Sequence, residues 1–394
     1  MGLFDQKKKD NEENVTEEID KLFETVSNLA DQEIANQPEL SEEEERKQHV
    51  DALVQHFLLQ TEWRMDELER ISIQDICVLI ANGRIRKSQE KRVEEANRLT
   101  DLVDTFYDVL TEKLKTAPML YTLLDETTGY PYIDAQARDC IWLFSEKKFA
   151  EMAIEHYNKS YRKFQLHELP LEGREEFLKE AFYLQGCFGV YVDNGLCGCL
   201  VDNDDLVPVP QWTQRASADK PLANPDFMRA HLKMVQEAGW HVKYDHREQV
   251  MEQLEQEVSR QIVETYFLLP VKGVERNREH EDQVILDQNT TLSIVCLKGK
   301  DGTQALPVFT DWVQFKRCYS DEEYSGWIVP FDLLAKMVEE KRYDAFVVNL
   351  GKCPAEIRQA NIERMREKAK EANRKIEDMK KAMETGGPEE GPQS

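Results

Sequence analysis

Long apolar runs are missing from this sequence. No stretch of its 394 residues approaches the roughly 20 consecutive apolar side chains that cross a bilayer. The cations Lys7-Lys8-Lys9 lead into no apolar segment, so a secretory leader is not expected; Leu3-Phe4 would make only a short lipid-touching foot. Glycine loops that cradle phosphates are missing too: there is neither a Gly-x-Gly-x-x-Gly pattern nor a Walker loop. No Gly-x-Ser-x-Gly elbow presents a nucleophile. Positive charge is scarce, 51 Lys and Arg against 76 Asp and Glu, a formal net charge of −25. That excess repels phosphate backbones and anionic lipid, so neither nucleic acid nor a membrane surface is expected as a partner. It suits first a well-solvated surface of a cytoplasmic protein, and only second a basic protein partner; a protein partner is expected but not identified.

What is present is more ordinary. Eight cysteines (Cys77, Cys140, Cys187, Cys197, Cys199, Cys296, Cys318 and Cys353) are scattered through apolar segments, the usage of reduced cytosolic thiols. Hydrophobic residues at 41% and charged residues at 32% fit a folded chain with solvated helices. Its length exceeds one core of ordinary size and predicts at least two domains.

Residues 1–14 are polar enough to be expected disordered. Residues 15–117 read as a helical bundle or hairpin. Val15, Ile19, Leu22, Val26 and Leu29 mark one helix face. Ser41 to Glu44 has the form of a capping box opening a long helix with the stripe Val50, Val54, Phe57, Thr61, Met65, Leu68. A short helix from Ile73 is predicted to stop at Asn82-Gly83, and a third long one carries Val93 to Leu114.

At Pro118 the period turns extended. Residues 118–201 read as strand Met119–Leu124, turn, apolar strand Cys140–Phe144, a helix capped by Ser145 with Phe149, Met152, Ala153 and Tyr157 inward, a helix near Glu175–Tyr183, and strand Cys187–Val192. Residues 202–263 form a proline-bearing linker with two helices, the first opened by Asn224-Pro225. Residues 264–353 repeat the earlier order: strand Thr265–Val271, strand Leu292–Leu297, turn Gly299–Gly302, strand Ala305–Phe309, a helix capped by Thr310, a helix opened at Pro330, and strand Ala345–Val348. Leu143-Phe144-Ser145 corresponds to Val308-Phe309-Thr310, Phe149 to Phe315, and Tyr191-Val-Asp-Asn-Gly195 to Val347-Val-Asn-Leu-Gly351. The chain therefore reads as a duplicated unit, the first copy eroded. The expected fold class is α+β: two related small α/β sandwich domains, an N-terminal helical region and a C-terminal helix. That helix, residues 354–385, spaces Ile362, Met365, Ala369, Ala372, Ile376, Met379 and Met383 as a short coiled-coil seam, which predicts weak self-association. Residues 386–394 are expected disordered.

Tyr266-Phe-Leu-Leu-Pro-Val271, Leu306-Pro-Val-Phe-Thr310 and Val347-Val-Asn-Leu-Gly351 together resemble the N-terminal domain of the SseB (enhanced serine sensitivity) family. Where that family usually has Asn-Pro-Gly, this chain has Leu350, and Gly351 is expected to supply the turn's positive φ. The resemblance covers residues 260–355, and reaches 119–195 only through the internal repeat. It implies a small cytoplasmic bacterial α/β module with no established catalytic apparatus.

Candidate sites are few. Cys197-Gly-Cys199 is one ligand pair without a second, so it reads as buried thiols beyond a strand rather than a zinc site. His241 and His246 lack a third ligand and read as surface residues. Asp193-Asn194-Gly195 and Asn349-Leu350-Gly351 stand at strand ends, where α/β folds bind ligands; turn chemistry is the competing reading. Phe309-Thr310 reads as core plus helix cap. No catalytic, cofactor-binding or metal-ligating residue is assigned. The expected function is a non-enzymatic binding or regulatory scaffold; the alternative is a small-molecule sensor or enzyme with a pocket at the strand ends near Asn194 and Asn349 or between the modules.

Overall fold

The computed structural model describes residues 41–60, 62–210, 222–272, 293–320 and 322–385. The helix predicted over Val15 to Leu29 and the termini predicted disordered lie outside them. The chain divides into two compact units, with the boundary between Arg64 and Met65.

In the first unit α1 (Glu42–Leu53) opens on the capping box read from the sequence: Ser41 Oγ accepts from Glu44 N at 3.4 Å, and Ser41 N donates to the Glu44 carboxylate at 3.0 Å. Its last turn widens into a π-helix over Val54–Leu59, and Gln60 is extended. The single long helix expected through Leu68 is therefore two, because the wide turn and Gln60 end it; α2 (Met65–Arg70) begins the second unit.

In the second unit α3 (Ile73–Gln89) and α4 (Val93–Thr116) form a hairpin joined by three residues. The helix expected to stop at Asn82-Gly83 continues two further turns. Gly83 is buried, and Asn82 Nδ2 donates back to Val78 O at 2.9 Å instead of breaking the helix. In α4 the apolar stripe falls inward as its spacing requires, burying Leu99, Val103, Phe106, Leu110 and Leu114.

The first sheet has strands β1 (Met119–Asp125), β2 (Ile133–Asp134), β3 (Cys140–Phe144), β4 (Phe164–Pro170), β5 (Gly189–Val192) and β6 (Cys199–Asp202) in the order β4-β1-β3-β5-β6, with β2 on β3. Only β3 and β5 run parallel, Leu143 beside Val192. Between β3 and β4 lies α5 (Lys147–Asn158), and between β4 and β5 lies α6 (Leu171–Lys179), continued by a π-helical turn, Glu180–Leu184. Beyond β6 comes the single turn α7 (Asn203–Leu206). Strand β4 has no clear period in the sequence because it is an edge strand with a mixed burial pattern.

After α8 (Pro225–Gly239) the second half contains α9 (Arg247–Glu264), β7 (Tyr266–Lys272), β8 (Ser293–Ile294), β9 (Leu297–Lys298), β10 (Gln304–Val308), α10 (Trp312–Cys318), β11 (Ser325–Pro330), α11 (Phe331–Glu339), β12 (Ala345–Val348), β13 (Ala355–Arg358) and α12 (Gln359–Thr385). The one strand expected over Leu292–Leu297 is two, β8 and β9, split at Val295-Cys296 because β8 pairs with β7 and β9 with β10. The orders are β11-β7-β8 and β13-β12-β10-β9, with β10 and β12 parallel. Leu268 and Phe309 bridge the two sets through backbone hydrogen bonds of 2.8 and 3.0 Å. The path β11-β7-β10-β12-β13 then has the strand order of β4-β1-β3-β5-β6. In each half a proline (Pro170, Pro330) ends the outer strand and precedes a helix, and the next N–H bonds the carbonyl before the first strand: Leu171 to Pro118, Phe331 to Thr265.

Helix α8, expected as part of a linker, is the seam of this unit. Toward the first sheet Gln236 Oε1 accepts from Ile133 N (3.2 Å), its Nε2 donates to Pro131 O (3.0 Å), and Lys233 pairs with Asp139 (2.5 Å). Toward the second half Asn224 Nδ2 donates to Tyr266 O (2.9 Å) and Thr310 O (2.7 Å), while His231 Nε2 contacts Cys353 O at 3.1 Å. Gly186 permits the approach of α8 to the first half: at φ +78° it carries no side chain, and a Cβ there would lie 2.3 Å from Pro225 O. The C-terminal stripe is used within the chain, where α12 packs along α9 and buries Ile362, Ala369 and Ala372.

Candidate functional site at the strand ends

The strand-end residues singled out from the sequence form two matching clasps. In the first half Asp193, at φ +49°, follows β5, and its N–H donates to Leu143 O at 2.8 Å. Its carboxylate reaches across to the start of α5, where Oδ1 accepts from Ser145 N and Oδ2 from Ser145 Oγ, both at 2.8 Å. Oriented to satisfy both neighbours, the Gln74 amide donates to Asp193 Oδ2 (3.1 Å) and accepts from Cys197 N (3.3 Å). In the second half Asn349, at φ +54°, donates its N–H to Val308 O at 2.9 Å. Its Oδ1 accepts from Thr310 N at 3.1 Å, and its Nδ2 donates to Thr310 Oγ1 at 3.0 Å. The positive φ expected of Gly351 therefore belongs to Asn349, a residue type that tolerates that region.

Both hydroxyls are expected from the sequence to cap helices, and neither does. Ser145 Oγ is spent on Asp193, and the N-cap position of α5 is Glu146, which makes no side-chain bond there. Thr310 Oγ1 donates to Asp311 Oδ2 at 2.8 Å, and Asp311 caps α10 by accepting from Gln314 N at 2.8 Å. These caps set the register of the two helices. Glu146 aligns with Asp311, and Ala150 rather than Phe149 aligns with Phe315. Within α5 the buried residues are Ala150 and Ala153, and Met152, expected inward, is exposed.

The clasps differ electrostatically. Asp193 has no solvent exposure, and burial pushes its carboxyl up to about 6, against the two Ser145 hydrogen bonds that favour the charged form and with Glu146 adding repulsion. Asn349 has no proton to exchange. Asp311, beside it, is also raised by burial, opposed by the bonds from Gln314 and Thr310.

The surroundings differ too. Asn349 is buried, its amide also contacting Met228 Sδ at 3.2 Å, and the neighbouring Leu350 packs against the cluster of Leu268, Phe309 and Phe315. Asn194, by contrast, borders a cavity of about 220 Å³ with Phe149, Met152, Ala153, His156 and Tyr157. Its Nδ2 lies a long 3.5 Å from Tyr157 Oη. Tyr157 in turn stacks on Trp142, ring centroids 4.8 Å apart.

Cys199 lies within β6, not beyond a strand, and is buried, while Cys197 is half-buried with its Sγ 3.9 Å from Cys77 O. Burial raises both Cys77 and Cys199 above the usual thiol range, so they are held protonated. His241 and His246 are exposed. Among the described residues no three His, Cys, Asp or Glu side chains converge in a way that could hold a metal ion. No helix among them is long and apolar enough to cross a membrane.

One polar cavity leaves no signature in the sequence. About 680 Å³ in volume, it lies where the β1–β2 turn meets the end of α8, lined by Asp125, Thr127, Arg162, Lys163, Trp240 and His241 among others. Arg162 sits over the rings of Tyr132 (5.1 Å) and Trp240 (4.2 Å) and pairs with Glu237 at 2.8 Å. Asp125 is buried, and its Oδ1 accepts from Thr127 N and from Thr128 N and Oγ1. Arg162 and Glu237 come from segments 75 residues apart, a separation that no local pattern announces.

Residues 245–364 match the family model described as the SseB protein N-terminal domain. The match extends beyond the stretch that carried the resemblance, back to the start of α9 and on into α12. No curated protein and no solved structure matches the chain. The stretch running from α9 into the start of α12 is thus similar to the SseB N-terminal domain.

Proposed function

We propose that the chain is a non-enzymatic scaffold of the cytoplasm that holds a protein partner, built from two copies of one α/β unit, residues 118–201 and 264–353, around the shared helix α8. One observation carries the reading. The polar groups standing where an α/β fold would present its chemistry, Asp193 with Ser145 and Asn349 with Thr310, are spent in both halves on tying a strand end to the next helix. The same strand order, parallel pair and clasp in each half support the duplication. The net charge of −25 favours a basic partner. Affinity capture of the tagged full chain from its own cells, followed by native mass spectrometry, is expected to recover one stoichiometric protein partner. Recovery of the chain alone overturns the reading.

The cavity at Asp125 and Arg162 favours a second reading, a small-molecule sensor, because fixed groups of both signs converge on a space large enough for a ligand. A thermal-shift screen of zwitterionic metabolites in which no compound raises the melting temperature removes it.

A further inference from the structure

We propose that the cavity between the β1–β2 turn and the end of α8 binds a small zwitterion, its ammonium on Asp125 Oδ2 and its carboxylate on the free edge of the Arg162 guanidinium. The inference deepens the small-molecule sensor reading and rests on it.

The pairing of β1 with β4 runs as far as Asp125 opposite Phe164, and one step further Glu126 N donates to Lys163 O at 3.2 Å. The same register sets Thr127 opposite Arg162, so Asp125 and Arg162 are diagonal neighbours at the end of the strand pair. Each is sunk in the protein and only half used. Asp125 is 6% exposed; its Oδ1 accepts from Thr127 N (3.0 Å), Thr128 N (2.9 Å) and Thr128 Oγ1 (3.2 Å), while Oδ2 accepts from no group among the described residues. That oxygen is left to the cavity Asp125 lines. The Arg162 side chain is 12% exposed, with Tyr132 and Trp240 against the guanidinium and Nη2 on Glu237 Oε2. Its Nε and Nη1 meet no acceptor among the described residues, and Glu237 is held from its other side, Oε1 accepting from Tyr244 Oη at 2.9 Å. Asp125 and Arg162 form no ion pair with one another. Charged groups with so little water are costly unless paired. A ligand that bridges them brings a donor to one and an acceptor to the other, whereas an ion of one sign answers only one. Glu126 and Lys163 add one charge of each sign to the lining, which matches a ligand that is neutral as a whole. Burial raises the proton affinity of Asp125, opposed by the Thr128 bonds and by Arg162; an ammonium at Oδ2 acts in the same sense as Arg162. Gly239 lets the end of α8 close the wall, since a Cβ there would lie 2.4 Å from Thr127 Oγ1. The enclosed space, about 680 Å³, is of the ordinary size for a small-ligand pocket.

Trp240 reports from the wall, its indole Nε1 held on Ser160 O at 2.7 Å. The test follows its N–H signal in the nitrogen-labelled full chain, assigned by Trp240→Phe, during titration with the ω-amino alkanoates of two to six carbons and, separately, with butylamine and butanoate. The ladder of chain lengths reads the gap between the two groups. At least one length is expected to shift the signal saturably and to bind at least tenfold more tightly than either single-ended compound. Asp125→Asn puts an amide donor in place of the free oxygen and is expected to weaken that compound at least tenfold. No response at any length, single-ended compounds as tight as the best zwitterion, or unchanged binding in a folded Asp125→Asn chain overturn the assignment. Should that variant fail to fold, the comparison of compounds on the unaltered chain decides alone. A flat ladder beside a hit in the thermal-shift screen removes this two-ended assignment and leaves the sensor; a flat ladder beside an empty screen removes both.

Discussion

Asp193 accepts from Ser145 twice, through one backbone N–H and one hydroxyl, at 2.8 Å each, inside a site that leaves the carboxylate no exposure. Its folded-state value of about 6 lies above the ordinary 3.8, so the folded chain holds this proton more tightly than the unfolded chain. The stabilisation is complete below the unfolded value and is lost as pH rises through about 6. Asp193→Asn is expected to reproduce the Asn349 arrangement, to raise stability at pH 8 by on the order of 2–3 kcal/mol, and to change little at pH 4. Denaturant melts of both chains at the two pH values measure it; an equal effect at both contradicts the assignment.

The reciprocal change places an acid in the second clasp. Asn349→Asp is expected to destabilise the chain more at pH 8 than at pH 5, because a buried carboxylate there meets Asp311, itself raised by burial. Asn349→Ala removes the bonds with Thr310 and is expected to cost roughly 1–3 kcal/mol at either pH. Differential scanning calorimetry across pH separates the two variants.

Arg174 is buried and donates to three backbone carbonyls, Leu114 O (2.9 Å), Ala117 O (2.7 Å) and Leu169 O (3.0 Å). Two of these close the C-terminal end of α4, where a cation is favoured. Burial lowers its affinity for a proton without removing the charge. Arg174→Met strands those carbonyls and is expected to cost roughly 2–4 kcal/mol in a urea titration.

The α12 stripe lies on α9, and Lys368 pairs with Glu255 at 2.9 Å along that contact. Ile362→Ala is expected to cost about 2–5 kcal/mol, the range for emptying a buried site. Sedimentation velocity on a chain ending at Arg358 tests the seam expectation separately. An unchanged mass rules out self-association through this helix, and a loss of compactness is expected from the uncovered α9.

Much of the fold was legible because period and burial agreed. The strand Cys140–Phe144 is apolar and buried at every position, and α4 buries the stripe its spacing sets out. Legibility failed where tertiary contact overrode local chemistry. Asn82-Gly83 looks like a stop, yet Gly83 is buried in the hairpin. Ser145 and Thr310 look like caps, but their hydroxyls answer Asp193, Asp311 and Asn349. Asn194 and Leu350 were recognisable as strand-end neighbours, but that Asn194 borders a cavity while Leu350 packs against Leu268, Phe309 and Phe315 required the tertiary structure. The Arg162 cavity was invisible, since its members come from segments far apart in the chain.

Helix α8 belongs to neither half, and this governs how the unit from Met65 onward comes apart. Its Gln236 completes a strand of the first sheet, and its leading Asn224 ties the second half together. Neither sheet can melt without orphaning groups in the other, so calorimetry should record one shared endotherm for both halves. Severing the two contact sets by substitution on this helix would split that endotherm in two.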